Sequence, residues 1–112
     1  MNFEIHITPD FLKSLKLLAK RHRSLKNDFD VFAKSLKSDP FQGVELAPGI
    51  RKVRLAITSK GRGKSGGARV ITYTVVAAEN NGNVYLIDIY DKSDYSTIDV
   101  SVIQSVIEDL GI

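Results

Sequence analysis

The sequence predicts an α+β fold in which a helical hairpin follows the first strand and a final helix follows an antiparallel sheet. Three observations support this fold class. Apolar residues alternate with polar ones at the start of the chain, recur at helical spacing in the next segment, and return as three β-branched runs in the second half. The predicted order is β-α-α-β-β-β-α in a single domain, residues 1–112.

The first two elements are a strand and a helix. In NFEIHIT, Phe3, Ile5 and Ile7 alternate with polar residues, which is typical of a half-buried strand. Thr8 and Pro9 then start a helix, because a hydroxyl suits the N-cap and proline suits the first helical position. The helix, DFLKSLKLLAKRH, carries an apolar stripe formed by Phe11, Leu12, Leu15, Leu18 and Ala19.

A second amphipathic helix, LKNDFDVFAKSLKSD, completes the hairpin. Ser24 is the predicted N-cap, and Pro40 follows the end of the helix. Its buried side comprises Leu25, Phe29, Phe32, Ala33 and Leu36. The short link between the helices predicts an antiparallel pair. The next segment, PFQGVELAPG, contains two prolines and two glycines and is predicted to be a loop.

Three strands and a helix are predicted for the second half. The strands are IRKVRLAIT, ARVITYTVVA and NVYLIDIYD, with a hairpin turn at Asn81-Gly82 between the last two. With the first strand they form a twisted, largely antiparallel four-stranded sheet. In the tail, Ile98, Val102, Val106 and Leu110 recur at four-residue steps and predict a helix that ends near Gly111.

Charge is distributed unevenly along the chain. The net charge is +3, but residues 46–78 contain seven Lys and Arg and no acid, so the rest of the chain is net acidic. This asymmetry predicts a polyanionic partner, although a solvated basic face is the alternative. The chain has no cysteine and only two distant histidines, which argues against a thiolate or histidine metal site. No apolar run reaches membrane-spanning length, and we expect a cytoplasmic protein.

The segment KGRGKSGG, residues 60–67, combines glycines with basic residues and suggests phosphate binding. A P-loop would need a glycine at position 58, which is Thr58, and a helix after Gly63-Lys64-Ser65. The β-branched run that follows predicts a strand instead, so no helix N-terminus would receive a nucleotide phosphate. The segment is therefore expected to contact a nucleic-acid backbone or to be a solvated hairpin loop.

The middle and end of the chain resemble the RelE/ParE superfamily of toxins from type II toxin–antitoxin systems, in particular the HigB-type branch of RelE. The resemblance rests on GIRKVRLAITSKGRGKSGGARVITY and VYLIDIYDKSD and extends over nearly the whole chain. It implies a small RelE-like fold and an endonuclease that cuts mRNA in the ribosomal A site without a metal or other cofactor. In such enzymes the RNA 2′-hydroxyl attacks the adjacent phosphate. The resemblance also implies a cognate antitoxin, a small helix-turn-helix protein of HigA type.

The resemblance assigns the basic residues of the site. It gives catalytic roles to Arg69 on the central strand, Arg54 on the preceding strand and Lys92 after the last strand, and an RNA-binding role to Lys52. Arginine suits this chemistry because its planar fork stays charged and grips two phosphate oxygens. Alternatives remain: Arg69 could form a salt bridge to Asp88 or Asp91, and Lys92 could be a solvated strand end.

The general base is left open. RelE itself uses a tyrosine in its last helix, and the nearest match in this chain is Ile98. Asp91, Tyr73 and Tyr95 are the candidates. Tyr73 shares a strand face with Arg69, but a core tyrosine is an equal alternative.

The basic residues of the glycine-rich segment are expected to bind RNA backbone and to add salt dependence, not chemistry. They are Lys60, Arg62 and Lys64.

Two rival functions share some of these features. A ParE-like poison of DNA gyrase would have the same fold but would not need several basic side chains on the sheet face. A non-catalytic RNA-binding module would normally place aromatic stacking residues on its strands. The basic segment offers only Tyr73 for that purpose.

Overall fold

The computed structural model describes residues 2–61, 63, 66–95 and 97–112. Within these residues the strands are β1 (Asn2–Ile7), β2 (Val44–Ala47), β3 (Ile50–Leu55), β4 (Ala68–Ala78) and β5 (Asn81–Asp91). The helices are α1 (Pro9–Arg21), α2 (Leu25–Ser38) and α3 (Val100–Leu110), with a 3₁₀ turn at Thr58–Lys60. None of the helices in the described part of the chain has the length and apolar character needed to cross a membrane.

The strands form one mixed sheet in the order β1-β5-β4-β3-β2. β1 pairs parallel with β5, and the other neighbours are antiparallel. The α+β class and the antiparallel β3-β4-β5 meander are confirmed. The four-stranded sheet is wrong, because Val44–Ala47, expected to be loop, pairs with β3 as a fifth strand. This edge strand is short and lies between turn residues, so its sequence lacks the alternation of a longer strand.

The helix termini agree with the sequence at two of three sites. The Thr8 hydroxyl accepts from the Phe11 amide at 3.3 Å, which is the predicted N-cap of α1. Gly111 ends α3 in the left-handed conformation with φ of 72°. Ser24 does not cap α2, because it has helical dihedral angles and its hydroxyl donates to the Asp28 carboxylate at 2.6 Å.

Each face of the sheet has its own core. The helices α1 and α2 pack most of the predicted stripes, including Phe11, Leu18 and Phe29, against one face. The prediction is wrong for Leu12, which is exposed. Helix α3 packs Ile103 and Ile107 against Ile50, Ile71, Ile87 and Tyr90 on the other face. The predicted helix with its end at Gly111 is confirmed. Of the residues at the four-residue steps, Ile98 and Val106 pack against this core, whereas Val102 and Leu110 are exposed.

The hairpin between β4 and β5 is confirmed, but its turn, at Glu79 and Asn80, lies two residues earlier than expected. Asn80 adopts a positive φ of 58° in the turn, and Asn81 and Gly82 are already part of β5. A Cβ atom at Gly82 would come within 2.3 Å of the Val75 carbonyl oxygen. Glycine is therefore needed at this position for close strand packing, not for turn formation.

Candidate nucleic-acid interface

Two arginines face each other across neighbouring strands at one end of the sheet. Arg54 on β3 is the direct cross-strand partner of Arg69 on β4, and Arg69 in turn is paired with Tyr90 on β5. Lys52 lies two residues from Arg54 on the same face of β3. Like charges placed directly opposite one another repel, so a bound anion between these side chains would be favourable.

These residues line a cleft of about 510 Å³ on the α3 face of the sheet. Its charged lining consists of Lys52, Arg54, Arg69 and Lys92, joined by the aromatic rings of Tyr90 and Tyr95. Residues Gln42, Gly43 and Val44, next to and at the start of the edge strand, form the opposite wall. Among the described residues that line the cleft, none is acidic. The sheet and the turn after β5 therefore bring Lys52, Arg54, Arg69 and Lys92 into one basic cleft.

Arg69 is the most buried of the four cations, with 6% of its surface exposed. Its Nη1 donates to the Ala68 carbonyl oxygen at 3.1 Å. Burial lowers the pKa of Arg69, and the neighbouring guanidinium of Arg54 lowers it further. The guanidinium nevertheless stays charged because its ordinary pKa lies above 12. A fixed, partly desolvated positive charge of this kind interacts more strongly with an anion than a solvated one does.

A β-bulge aims Tyr90 at the cleft. The partner of Ile71 is Asp88 and the partner of Thr72 is Leu86, so Ile87 is an extra residue in β5. The bulge reverses the alternation, so that Leu86 packs toward α1 and α2 whereas Tyr90 faces α3. Burial raises the pKa of the Tyr90 hydroxyl, although Arg69 partly opposes this effect. Tyr90 is a cleft residue that the sequence analysis did not select, although its position two residues before Lys92 indicates a shared face.

Lys92 and Tyr95 reach the cleft from the turn that follows β5. Both side chains are exposed, and the Tyr95 ring packs edge-on against Tyr90 with centroids 5.6 Å apart. An exposed tyrosine beside four cations provides a stacking surface for a nucleobase and a hydroxyl near the phosphate site. Of the three candidate bases, Tyr95 is the one that lines the cleft.

Asp91 lies on the opposite side of the sheet from the cleft. Its carboxylate is 1% exposed and contacts Lys60 Nζ at 2.8 Å, His22 Nε2 at 2.8 Å and the Ser93 hydroxyl at 2.8 Å. Burial favours the neutral acid, but the hydrogen bonds from Lys60, Ser93 and His22 outweigh it and hold the pKa of Asp91 well below its usual range. Asp91 is thus a weak base directed away from Arg69, which disfavours both a general-base role and a salt bridge to that arginine.

The remaining candidates lie outside the cleft. The Lys60 ammonium group forms an ion pair with Asp91 on the side of the sheet opposite to the cleft. Arg62 and Lys64 lie outside the described residues. Tyr73 shares the face of Arg69 as expected, but it pairs with Ile50 and packs near Tyr85 in the α3 core. That position favours the structural interpretation of Tyr73.

The chemistry available in the cleft is therefore charge stabilisation and base stacking. The described residues contain no cluster of three or more histidine or carboxylate side chains placed to hold a metal ion. No protein-family model matches this chain.

Proposed function

We propose that this protein is a toxin of the RelE/HigB type that cuts mRNA on the ribosome and thereby inhibits translation. The observation that supports the proposal most strongly is the cross-strand pair of Arg54 and Arg69 in a cleft without a described acidic side chain. Two guanidinium groups at this spacing can bind one phosphate, because each offers a planar fork of charged donors. The same cleft is also lined by Lys52, Lys92 and Tyr95. These side chains would contact one side of the proposed RNA strand.

The proposed reaction is a phosphoryl transfer within the RNA. The 2′-oxygen forms a bond to the adjacent phosphorus, the bond from phosphorus to the 5′-oxygen breaks, and the products carry a 2′,3′-cyclic phosphate and a 5′-hydroxyl. The 2′-hydroxyl loses its proton and the departing 5′-oxygen gains one. Arg69 and Arg54 stabilise the charge that develops on the phosphate oxygens, which is the largest contribution such a site can make. Lys92 supplies a further donor at the rim.

The lack of a strong base among the described cleft residues favours dependence on the ribosome. The described lining contains tyrosines but no carboxylate or imidazole that could accept the 2′-proton efficiently at neutral pH. Alignment of the attacking oxygen, the phosphorus and the leaving oxygen can supply much of the missing rate enhancement. We therefore infer that the ribosome positions the mRNA and that naked RNA is a poor substrate.

The proposal also implies a partner and a compartment. A toxin that blocks translation must be held inactive by a cognate antitoxin, for which we propose a helix-turn-helix protein of HigA type. Its target, the translating ribosome, places its action in the cytoplasm.

The test is to map RNA ends after adding the purified protein to mRNA with and without translating ribosomes. We expect cuts with 5′-hydroxyl ends only when ribosomes are present, and unchanged cutting with a chelator that removes transition metals but leaves ribosomal Mg²⁺. Equal cutting of naked RNA at the same sites would contradict ribosome dependence. Binding without cutting would favour the RNA-binding module, and double-strand DNA breaks with intact mRNA would favour a ParE-like gyrase poison.

A further inference from the structure

A buried cluster behind the cleft joins three separate parts of the chain through one carboxylate. Asp91 Oδ1 accepts from Lys60 Nζ at 2.8 Å, and its Oδ2 contacts His22 Nε2 at 2.8 Å and Arg21 Nη2 at 3.5 Å. Lys60 ends the 3₁₀ turn before the glycine-rich segment, whereas Arg21 and His22 end helix α1. The carboxylate therefore links the end of β5 both to the C-terminus of α1 and to the 3₁₀ turn.

The same residue also shapes the turn that carries the cleft residues, through its carboxylate and its backbone carbonyl. Asp91 Oδ1 accepts from the Ser93 amide at 3.0 Å, and the Asp91 carbonyl accepts from the Asp94 amide at 3.0 Å. Between them, the Lys92 amide donates to the Gly67 carbonyl at 3.1 Å. An aspartate that accepts from the amide two residues later fixes a local turn. The Lys92 backbone is thus held on both sides while its side chain enters the cleft.

We propose that Asp91 is a positioning residue that holds Lys92 and Tyr95 in place for the reaction in the cleft. The inference rests on the proposed function and goes beyond it, because it assigns a role to a residue that does not reach the cleft. The Asp91 carboxylate contacts the end of α1, whereas the Lys92 side chain lines the cleft on the α3 face, so the anchor and the functional group are one residue apart but on opposite sides of the sheet.

The charges around Asp91 support an organising role. Arg21 and His22 face it from α1, Lys60 faces it from the 3₁₀ turn, and Ser93 faces it from its own turn. Arg21 also forms a salt bridge with Asp94, with 2.7 Å between Nη1 and Oδ2, and this salt bridge links the far end of the same turn to α1. Removing the negative charge would leave the Lys60 ammonium, 16% exposed, beside a neutral group. Lys60 would then leave the cluster, and the turn would lose an anchor.

The experiment compares Asp91→Asn with the unmodified protein in single-turnover cleavage at saturating ribosome. Asparagine keeps an oxygen for the Ser93 amide but loses the charge that holds Lys60 and His22. We expect a fall in rate of roughly 10- to 100-fold, as for a small misplacement of a reacting group, with ribosome affinity unchanged. Lys60→Met should act in the same direction, and the double variant should be no worse than the more severe single one. The destabilised control is Leu36→Ala, a change in the α2 core that leaves the cleft intact.

A second readout does not require activity. Hydrogen exchange of the Lys92 amide should become faster in Asp91→Asn and in Lys60→Met, whereas Leu36→Ala should not affect it selectively. Unchanged exchange, or a rate loss no greater than that of Leu36→Ala at an equal folded fraction, would overturn the proposal. If the unmodified protein cleaves nothing, the proposed function fails, but Lys92 exchange still decides whether Asp91 positions the turn. If Asp91→Asn does not fold, Lys60→Met and His22→Gln are judged by the same criteria.

Discussion

Replacing Arg69 with methionine should separate catalysis from folding. Arg69 is almost fully buried, and its direct cross-strand neighbour is Arg54. Methionine keeps a long side chain that fills the space but removes the charge and the planar fork. A phosphate bound as proposed would then lose a fixed donor, while the sheet would lose a pair of facing positive charges.

The two effects have different expected magnitudes. Losing one preorganised donor for developing charge costs about 10²–10³ in rate, or about 3–4 kcal/mol of transition-state stabilisation. For folding, the hydrogen bond to the Ala68 carbonyl contributes about 1 kcal/mol beside the other contacts of Arg69, and relief of the cross-strand repulsion returns about 0.2–1 kcal/mol. We therefore expect the activation free energy to change by more than the free energy of unfolding.

The assay measures single-turnover cleavage of ribosome-bound mRNA and urea unfolding of the same variant. Arg69→Lys should recover part of the rate, because an ammonium keeps the charge but lacks the bidentate fork. Arg51→Met is the matched control, since Arg51 lies on neighbouring β3 but contacts Glu45 and the Phe41 ring outside the cleft. A folded Arg69→Met that cleaves at the normal rate would refute the reasoning, and an unfolded one would favour a structural role.

Four further results are expected. Lys92→Met should lower the single-turnover rate by about 10-fold or more, because it removes a donor from the cleft; an unchanged rate would make Lys92 a solvated strand end. Tyr73→Phe should leave that rate unchanged, because this ring packs near Tyr85 in the α3 core and does not line the cleft; a large loss would restore it as a candidate base. Because the pKa of Asp91 is lowered in the folded state, its carboxylate stabilises the fold fully above the ordinary carboxyl pKa, and this contribution is lost as the pH falls below about 4. The free energy of unfolding of Asp91→Asn should therefore depend less on pH in the acid range. An equally steep dependence would contradict this reasoning. Gly82→Ala should lower the free energy of unfolding in urea by about 1–3 kcal/mol, because its Cβ would clash with the Val75 carbonyl; a neutral result would show that the strands separate easily there.

The periodic parts of the fold could be predicted because their burial follows a regular spacing. The stripes of α1 and α2 and the shared face of Lys52 and Arg54 follow directly from helical and strand periods. β2 was missed because Val44–Ala47 is a short edge strand whose neighbours are turn residues. Its strand conformation depends on pairing with β3, a tertiary contact that local sequence does not specify.

Sequence spacing accounts for the shared cleft of Lys52, Arg54 and Arg69 on the meander strands, but not for the arrangement at the end of β5. Asp91 was grouped with Lys92 because the two are adjacent, although strand alternation places neighbours on opposite faces. The bulge at Ile87, which turns Tyr90 toward the cleft, leaves no clear mark in an unbroken apolar strand. The contacts of Asp91 with His22 and Lys60 join residues far apart in sequence, so no local pattern could reveal them.

The most direct test of the central claim replaces a single 2′-hydroxyl in the mRNA. The nucleotide on the 5′ side of the mapped cut is changed to its 2′-deoxy form, and the protein is added to ribosomes that hold this codon in the A site. Because the proposed attack comes from that hydroxyl, cleavage at this position should disappear while the protein still binds the complex. Continued cleavage at the same bond and rate would show that another nucleophile acts, and it would contradict the proposed phosphoryl transfer.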